Sequence, residues 1–114
     1  MLTIDTLREY GANVQEGLER CLDDEGFYLE MVGMALDEEG FKRLSGAIEA
    51  GDKKAAFEAA HALKGVLANV ALTPLYAVAS EITELLRAGQ DADYPALLEQ
   101  LLRKREELTA MQND

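Results

Sequence analysis

The only histidine of the chain, His61, lies in a run of residue types that could support nucleophilic chemistry. The run reads Ala60-His61-Ala62-Leu63-Lys64-Gly65-Val66-Leu67-Ala68-Asn69-Val70. A neutral imidazole is a competent nucleophile at cellular pH and can form a covalent phosphoryl intermediate. At helical spacing Lys64 follows His61 by one turn, and its ammonium can donate charge-assisted hydrogen bonds to phosphoryl oxygens. The run therefore indicates an imidazole that is able to carry an anionic group.

Gly65 is the unusual member of this run. A glycine in the interior of a helix costs about 1 kcal/mol relative to alanine, and nothing nearby requires a turn. Helical side chains lean toward the N-terminus, so the residue four positions after His61 partly covers the space above the imidazole. Gly65 leaves that space open, which indicates steric clearance for a group bound to His61.

The apolar spacing of this helix predicts that His61 lies at or near the surface. The predicted buried side consists of Ala56, Ala59, Leu63, Val66 and Val70, and another side carries Phe57, Glu58, His61, Lys64, Gly65, Ala68 and Asn69. A lone surface histidine usually has no role. The Leu-Lys-Gly continuation and the small neighbouring residues favour a functional one here.

The segment His61-x-Leu63-Lys64-Gly65 resembles the H-x-L-K-G core of histidine-containing phosphotransfer (HPt) domains, the phosphocarriers of multistep two-component phosphorelays. The resemblance continues through Ala68-Asn69-Val70 and Leu72-Thr73-Pro74-Leu75, and the arrangement of helices extends it over most of the chain. One departure is Ala71, because family members often have a glycine there. Alanine is the mildest replacement, and it leaves the chemistry little affected.

The resemblance implies a phosphocarrier. A receiver-domain aspartate would donate a phosphoryl group to His61, and His61 would pass it to another receiver domain. Lys64 would offset the charge of the phosphoryl group and Gly65 would leave room for it. No cofactor or metal of its own is expected, since the partner receiver would bring Mg²⁺. The chain has no glycine-rich phosphate loop for ATP, so kinase activity is not expected.

The expected partners are response-regulator receiver domains, a hybrid sensor histidine kinase, or both. They would dock on the surface around His61, with predicted contacts at Phe57, Ala60, Ala68 and Asn69 and with local positive charge from Lys53, Lys54 and Lys64. Asn69 could equally cap the helix or face solvent. Ser80 or Thr83 on the following helix could orient the second imidazole nitrogen. A bacterial origin and a monomeric state are further implications of the resemblance.

Composition limits the other function classes. The formal net charge of -11 argues against nucleic acid or an anionic membrane as a partner, because both require a basic surface. No apolar run approaches the roughly 18 residues of a membrane span, and no secretory signal is readable. The single cysteine, Cys21, cannot form an internal disulfide, which fits a cytoplasmic protein. Its helical neighbours Leu18 and Leu22 favour a buried apolar role over a reactive thiol.

The apolar periodicity predicts an all-α fold, an antiparallel (up-and-down) four-helix bundle with additional short N-terminal helices, in a single domain over residues 1–114. The N-terminal helices occupy about 3–36 and pack over one end of the core bundle at about 37–112. The predicted core helices are 37–50, 52–70, 73–88 and 93–112. Asp37, Asp52 and Thr73 are predicted to begin the first three of these.

Two other function classes remain open beside the phosphocarrier. A non-catalytic helical adaptor would keep the bundle and the docking surface and would bind receiver domains or a kinase without accepting a phosphoryl group. A helical enzyme using a metal or cofactor is the third class. One histidine, one cysteine and no H-E-x-x-H or E-x-x-H pattern give it few ligands.

Overall fold

Seven α-helices form the regular structure of residues 1–113, the part of the chain that this computed structural model describes. In chain order they are α1 (Ile4–Tyr10), α2 (Val14–Arg20), α3 (Glu25–Leu36), α4 (Gly40–Ala50), α5 (Lys53–Asn69), α6 (Thr73–Arg87) and α7 (Tyr94–Gln112). No strand occurs within residues 1–113, so the predicted all-α class is confirmed. None of these helices is both long and apolar enough to cross a membrane.

The four C-terminal helices form the bundle. Helix α5 packs against both α4 and α6, while α7 contacts α6 and closes the bundle against α4. Short connections between consecutive helices make neighbours antiparallel. Each helix contributes fully buried side chains to one core, among them Leu44, Leu63, Ile82 and Leu101. Burial of this apolar surface is the main favourable term in folding.

Helix α5, which carries His61, begins where the sequence predicts. The Asp52 carboxylate accepts a hydrogen bond from the Ala55 backbone N–H at 3.1 Å, and this satisfies one of the free donors of the first turn. Gly51 adopts a left-handed φ of 70° and ends α4 immediately before this cap. The N-terminus of α5 is therefore fixed by two adjacent residues.

One predicted helix start is wrong, and α6 begins at Thr73 as predicted but without the side-chain cap expected from that residue. Helix α4 begins at Gly40 rather than at Asp37, because the last turn of α3 continues to Asp37, whose backbone N–H bonds to the Gly33 and Met34 carbonyls. Thr73 is already the first residue of α6, and no side chain caps that helix. The Thr73 hydroxyl instead donates back to the Ala71 carbonyl at 3.4 Å.

Helices α1 to α3 lie over the end of the bundle where α5 connects to α6, as predicted. The buried Tyr28 hydroxyl donates to the Val70 carbonyl at 2.8 Å, and the Asn13 backbone N–H donates to the Ala71 carbonyl at 2.9 Å. A Cβ at Gly17 would lie 2.4 Å from the Tyr28 ring, so α2 can approach Tyr28 only with glycine there. Cys21 is also buried, as predicted.

Ala71 occupies the turn between α5 and α6 in a left-handed conformation, with φ of 54°. Alanine in this region costs roughly 1–2 kcal/mol because its Cβ approaches the following carbonyl, and glycine does not have this cost. The position where the family often has glycine is therefore one where the backbone itself favours glycine. Alanine adopts this conformation here with some strain.

Candidate functional site

His61 lies in the middle of α5 with its side chain exposed. Lys64, one turn later, is half-buried, and Gly65 beside it is exposed. The imidazole makes no hydrogen bond to any residue in the part of the chain that the structure describes. Both ring nitrogens are therefore free of hydrogen bonds to these residues.

The space over His61 is open. A Cβ built at Gly65 would meet nothing within 4 Å. Gly65 also lies inside a regular helix, without the positive φ that would require glycine. Neither backbone conformation nor close packing accounts for a glycine at this position.

The imidazole stacks on an aromatic ring one turn earlier. The ring centroids of Phe57 and His61 are 5.8 Å apart, and the two planes are inclined by only 10°. Phe57 is half-buried, so its ring is placed partly by contacts to the body of the protein. An offset parallel arrangement at this distance is a favourable aromatic geometry.

Two residues of α6 extend this stack. The Arg87 guanidinium carbon lies 5.1 Å from the centroid of the Phe57 ring, within the range of a cation–π contact. Its Nε donates to the Glu84 carboxylate at 3.0 Å. Sequence analysis missed both residues. The available signal was that Phe57 and Arg87 lie at nearly equal distances along the chain from the connection between two antiparallel helices.

Glu84 interacts electrostatically with several residues of this cluster. The hydrogen bond from Arg87 is the main cause that lowers the pKa of the Glu84 carboxyl. The charges of Arg87, Lys64 and His61 lower it further, against an opposing effect of partial desolvation. Glu84 is therefore ionised at neutral pH, and its carboxylate interacts electrostatically with both His61 and Lys64.

The predicted docking residues do not all lie on the exposed side of α5. Phe57 and Ala68 are half-buried and Asn69 is exposed, as a docking surface requires. Ala60 is fully buried, so its predicted place in that surface is wrong. The reason is that α5 packs against both α4 and α6, so its buried arc is wider than a single apolar stripe. Leu67, which the predicted buried side omitted, is also fully buried.

The two lysines at the start of α5 have different surroundings. Both are exposed, but the Lys53 ammonium pairs with the Asp91 carboxylate at 3.1 Å, in the loop between α6 and α7. Lys54 has no ion-pair partner within residues 1–113. Lys54 also precedes His61 by two helical turns, which places it on the same side of α5. Helical spacing therefore favours Lys54 for the His61 side, while the Lys53 ammonium is already paired with Asp91.

At the other end of this side, Asn69 is held by a helix that is distant in sequence. The Arg20 guanidinium of α2 donates to the Asn69 side-chain oxygen at 3.3 Å and forms an ion pair with Glu16 at 2.7 Å. The Asn69 side chain is thus exposed, as one of its predicted roles requires, and also accepts a hydrogen bond that the sequence did not indicate. The contact also adds an exposed cation near the end of the His61 helix that sequence analysis did not anticipate.

Ser80 and Thr83 of α6, the two predicted candidates, do not orient the imidazole. Thr83 is fully buried, and its hydroxyl donates to the Ala79 carbonyl at 2.7 Å. Ser80 forms no hydrogen bond with His61 among the described residues. Within residues 1–113, no group of three or more His, Cys, Asp or Glu side chains is arranged to hold a metal ion.

Comparison with known families gives one result. The family model described as the Hpt domain matches residues 4–114, which include all seven helices and the His61 segment. Neither a curated protein nor a solved structure is significantly similar to the chain. The match covers nearly the whole sequence, so it applies to the N-terminal helices as well as to the bundle.

Proposed function

Because the chain belongs to the Hpt domain family, we propose that His61 is its phosphoacceptor. This family carries out histidine phosphotransfer in phosphorelays. The observation that carries the proposal is the open surface above the exposed imidazole at Gly65. A helix interior has no structural use for glycine at that position, whereas a phosphoryl group on His61 needs the space.

The reaction requires little chemistry from this chain. An imidazole nitrogen of His61 attacks the phosphorus of an aspartyl phosphate on a receiver domain. The N–P bond forms while the P–O bond to the aspartate breaks, and the electron pair of that bond stays on the carboxylate. Transfer to a second receiver domain reverses these events. Catalysis of phosphoryl transfer is largely positioning and charge neutralisation, so a carrier needs an accessible nucleophile and nearby cations.

The cations next to His61 fit this need. Lys64 follows the imidazole by one turn, and its half-buried side chain is in a position to neutralise phosphoryl oxygens with charge-assisted hydrogen bonds. Lys54 supplies positive charge toward the start of the same side of α5, and the Arg20 guanidinium, which is paired with Glu16, lies next to Asn69 at its end. In a protein of net charge -11, this local arrangement complements the acidic site of a receiver domain. We expect that receiver to supply Mg²⁺, and we place the relay in the cytoplasm.

The experiment that tests the proposal is intact-mass measurement after exposure to phosphoramidate, with the sample kept at alkaline pH. The wild-type protein should gain one acid-labile phosphoryl group, and the His61→Gln variant should gain none. A folded wild-type protein that gains no mass would contradict the assignment of His61. Equal gain by the variant would also contradict it, because another residue would then be the acceptor.

A second measurement separates a carrier from an adaptor. Purified phosphorylated protein is mixed with an unphosphorylated receiver domain and Mg²⁺. The amount of phosphoryl group on each of the two proteins is then measured as a function of time. A carrier loses its phosphoryl group to the receiver faster than its phosphohistidine hydrolyses in buffer alone. Binding of the receiver without accelerated loss of the phosphoryl group would favour the adaptor. In that case the His61→Gln variant should bind the receiver as well as the wild-type protein does.

A further inference from the structure

The imidazole of His61 is held by a ring rather than by a hydrogen bond. Rotation about the bond between Cβ and an aromatic ring has a broad energy profile, so an exposed histidine without a hydrogen-bond partner samples many ring orientations. Among the described residues, the specific restraint on the His61 ring is its parallel contact with the Phe57 ring, whose centroid lies 5.8 Å from that of the imidazole. Phosphoryl transfer depends on the orientation of the attacking nitrogen, so this restraint bears directly on the reaction.

We propose that Phe57, held in place by Arg87 and Glu84, is a positioning residue that sets the orientation of the His61 imidazole for phosphoryl transfer. The proposal rests on the proposed phosphoacceptor role of His61. It gives Phe57 a role distinct from contact with a partner, because positioning acts even when no partner is bound.

The support behind Phe57 comes from a different helix. The Arg87 guanidinium lies over the ring at 5.1 Å, and the hydrogen bond of 3.0 Å to Glu84 restricts where the guanidinium can go. A cation over an aromatic face is attracted by the ring quadrupole. The stack therefore joins α5 to α6 through Glu84, Arg87, Phe57 and His61 in order. Because α5 and α6 also pack directly against each other, the restraint is anchored in the bundle.

The test measures the rate of reaction with phosphoramidate, since a small donor needs no docking surface. Phe57→Leu keeps an apolar side chain but removes the ring, and Phe57→Tyr keeps the ring. We expect the rate for Phe57→Leu to fall by roughly two- to tenfold, the range that corresponds to loss of one aromatic pair. The rate for Phe57→Tyr should stay within about twofold of wild type.

A spectroscopic readout distinguishes positioning from general structural damage. A neighbouring aromatic ring shifts the NMR resonances of the imidazole C–H protons of His61. These shifts should move toward the values of a free histidine in Phe57→Leu and stay near wild type in Phe57→Tyr. Arg87→Met, at an exposed position, should slow the reaction by a smaller factor in the same direction. It provides the test if Phe57→Leu does not fold.

The outcomes are distinct from those of the phosphoacceptor proposal. Wild-type protein that gains no phosphoryl group would overturn the role of His61, and positioning would fall with it. If wild type reacts and a folded Phe57→Leu reacts at the same rate, only the positioning proposal is overturned. That result together with slower transfer from a receiver domain would assign Phe57 to docking alone. Unchanged imidazole chemical shifts in Phe57→Leu would also contradict the proposal, because the Phe57 ring would then not restrain the imidazole.

Discussion

Replacement of Gly65 by alanine should make the protein more stable and less active. A Cβ at this position meets nothing within 4 Å, so the substitution introduces no clash in the free protein. Alanine is favoured over glycine in a helix interior by about 0.5–1 kcal/mol. For a domain of this size the gain corresponds to a rise in the melting temperature of about 2 to 5 °C. Thermal unfolding followed by circular dichroism measures it.

The loss of activity has a different origin. The new methyl group occupies space that a phosphoryl group on His61, or the receiver domain presenting it, needs during transfer. Forcing one extra carbon into a close-packed contact typically costs about 1 kcal/mol or more, which slows transfer by about fivefold or more. The assay is a quenched time course of phosphoryl transfer from a phosphorylated receiver domain to the Gly65→Ala variant. A leucine at the same position should slow transfer further.

Gly46 provides a matched control for this prediction. It lies inside α4, is exposed and, like Gly65, has nothing within 4 Å of a built Cβ. Gly46→Ala should raise the melting temperature by a similar amount and leave transfer unchanged. The reasoning is refuted if Gly65→Ala transfers at the wild-type rate, since the clearance would then have no function. It is also refuted if both alanine variants slow transfer equally, since stiffening of the helices would then be the cause.

Two further predictions concern alkaline stability and the charge near His61. Burial raises the pKa of Tyr28 from 10.0 to about 12, so the stability contributed by its neutral form is complete below pH 10 and lost as the pH rises through about 12. Urea unfolding across this pH window should show a steeper loss in wild type than in Tyr28→Phe, and equal slopes would contradict the linkage. Lys54→Glu should slow transfer from a receiver domain several-fold at low salt and less at high salt, because the ionic atmosphere screens exposed charges. Lys53→Glu is the control, because the Lys53 ammonium is already paired with Asp91, and an equal effect of both reversals would refute the distinction.

The sequence predicts the parts of this fold that depend on neighbouring residues. The cap at Asp52 and the end of α4 at Gly51 were predicted because each depends on the backbone within one turn. The start of α4 was not, since Asp37 is of a residue type that often begins a helix, and only the position where α3 ends shows that it does not do so here. Ala60 was misplaced because alanine fits either side of a helix, and only the packing of α4 and α6 around α5 determines that it is buried.

The same distinction explains which part of the candidate site could be predicted. Phe57, Lys64 and Gly65 lie four residues before, three after and four after His61, so helix geometry alone brings them next to the imidazole. The proposed nucleophile, its cation and its clearance can therefore be predicted from one stretch of chain. Arg87 and Glu84 reach the site only because α6 packs against α5 in a particular register, which one-turn spacing does not specify. The proposed chemistry thus depends on residues of α5 alone, whereas the proposed restraint on the imidazole depends on how α6 packs against α5.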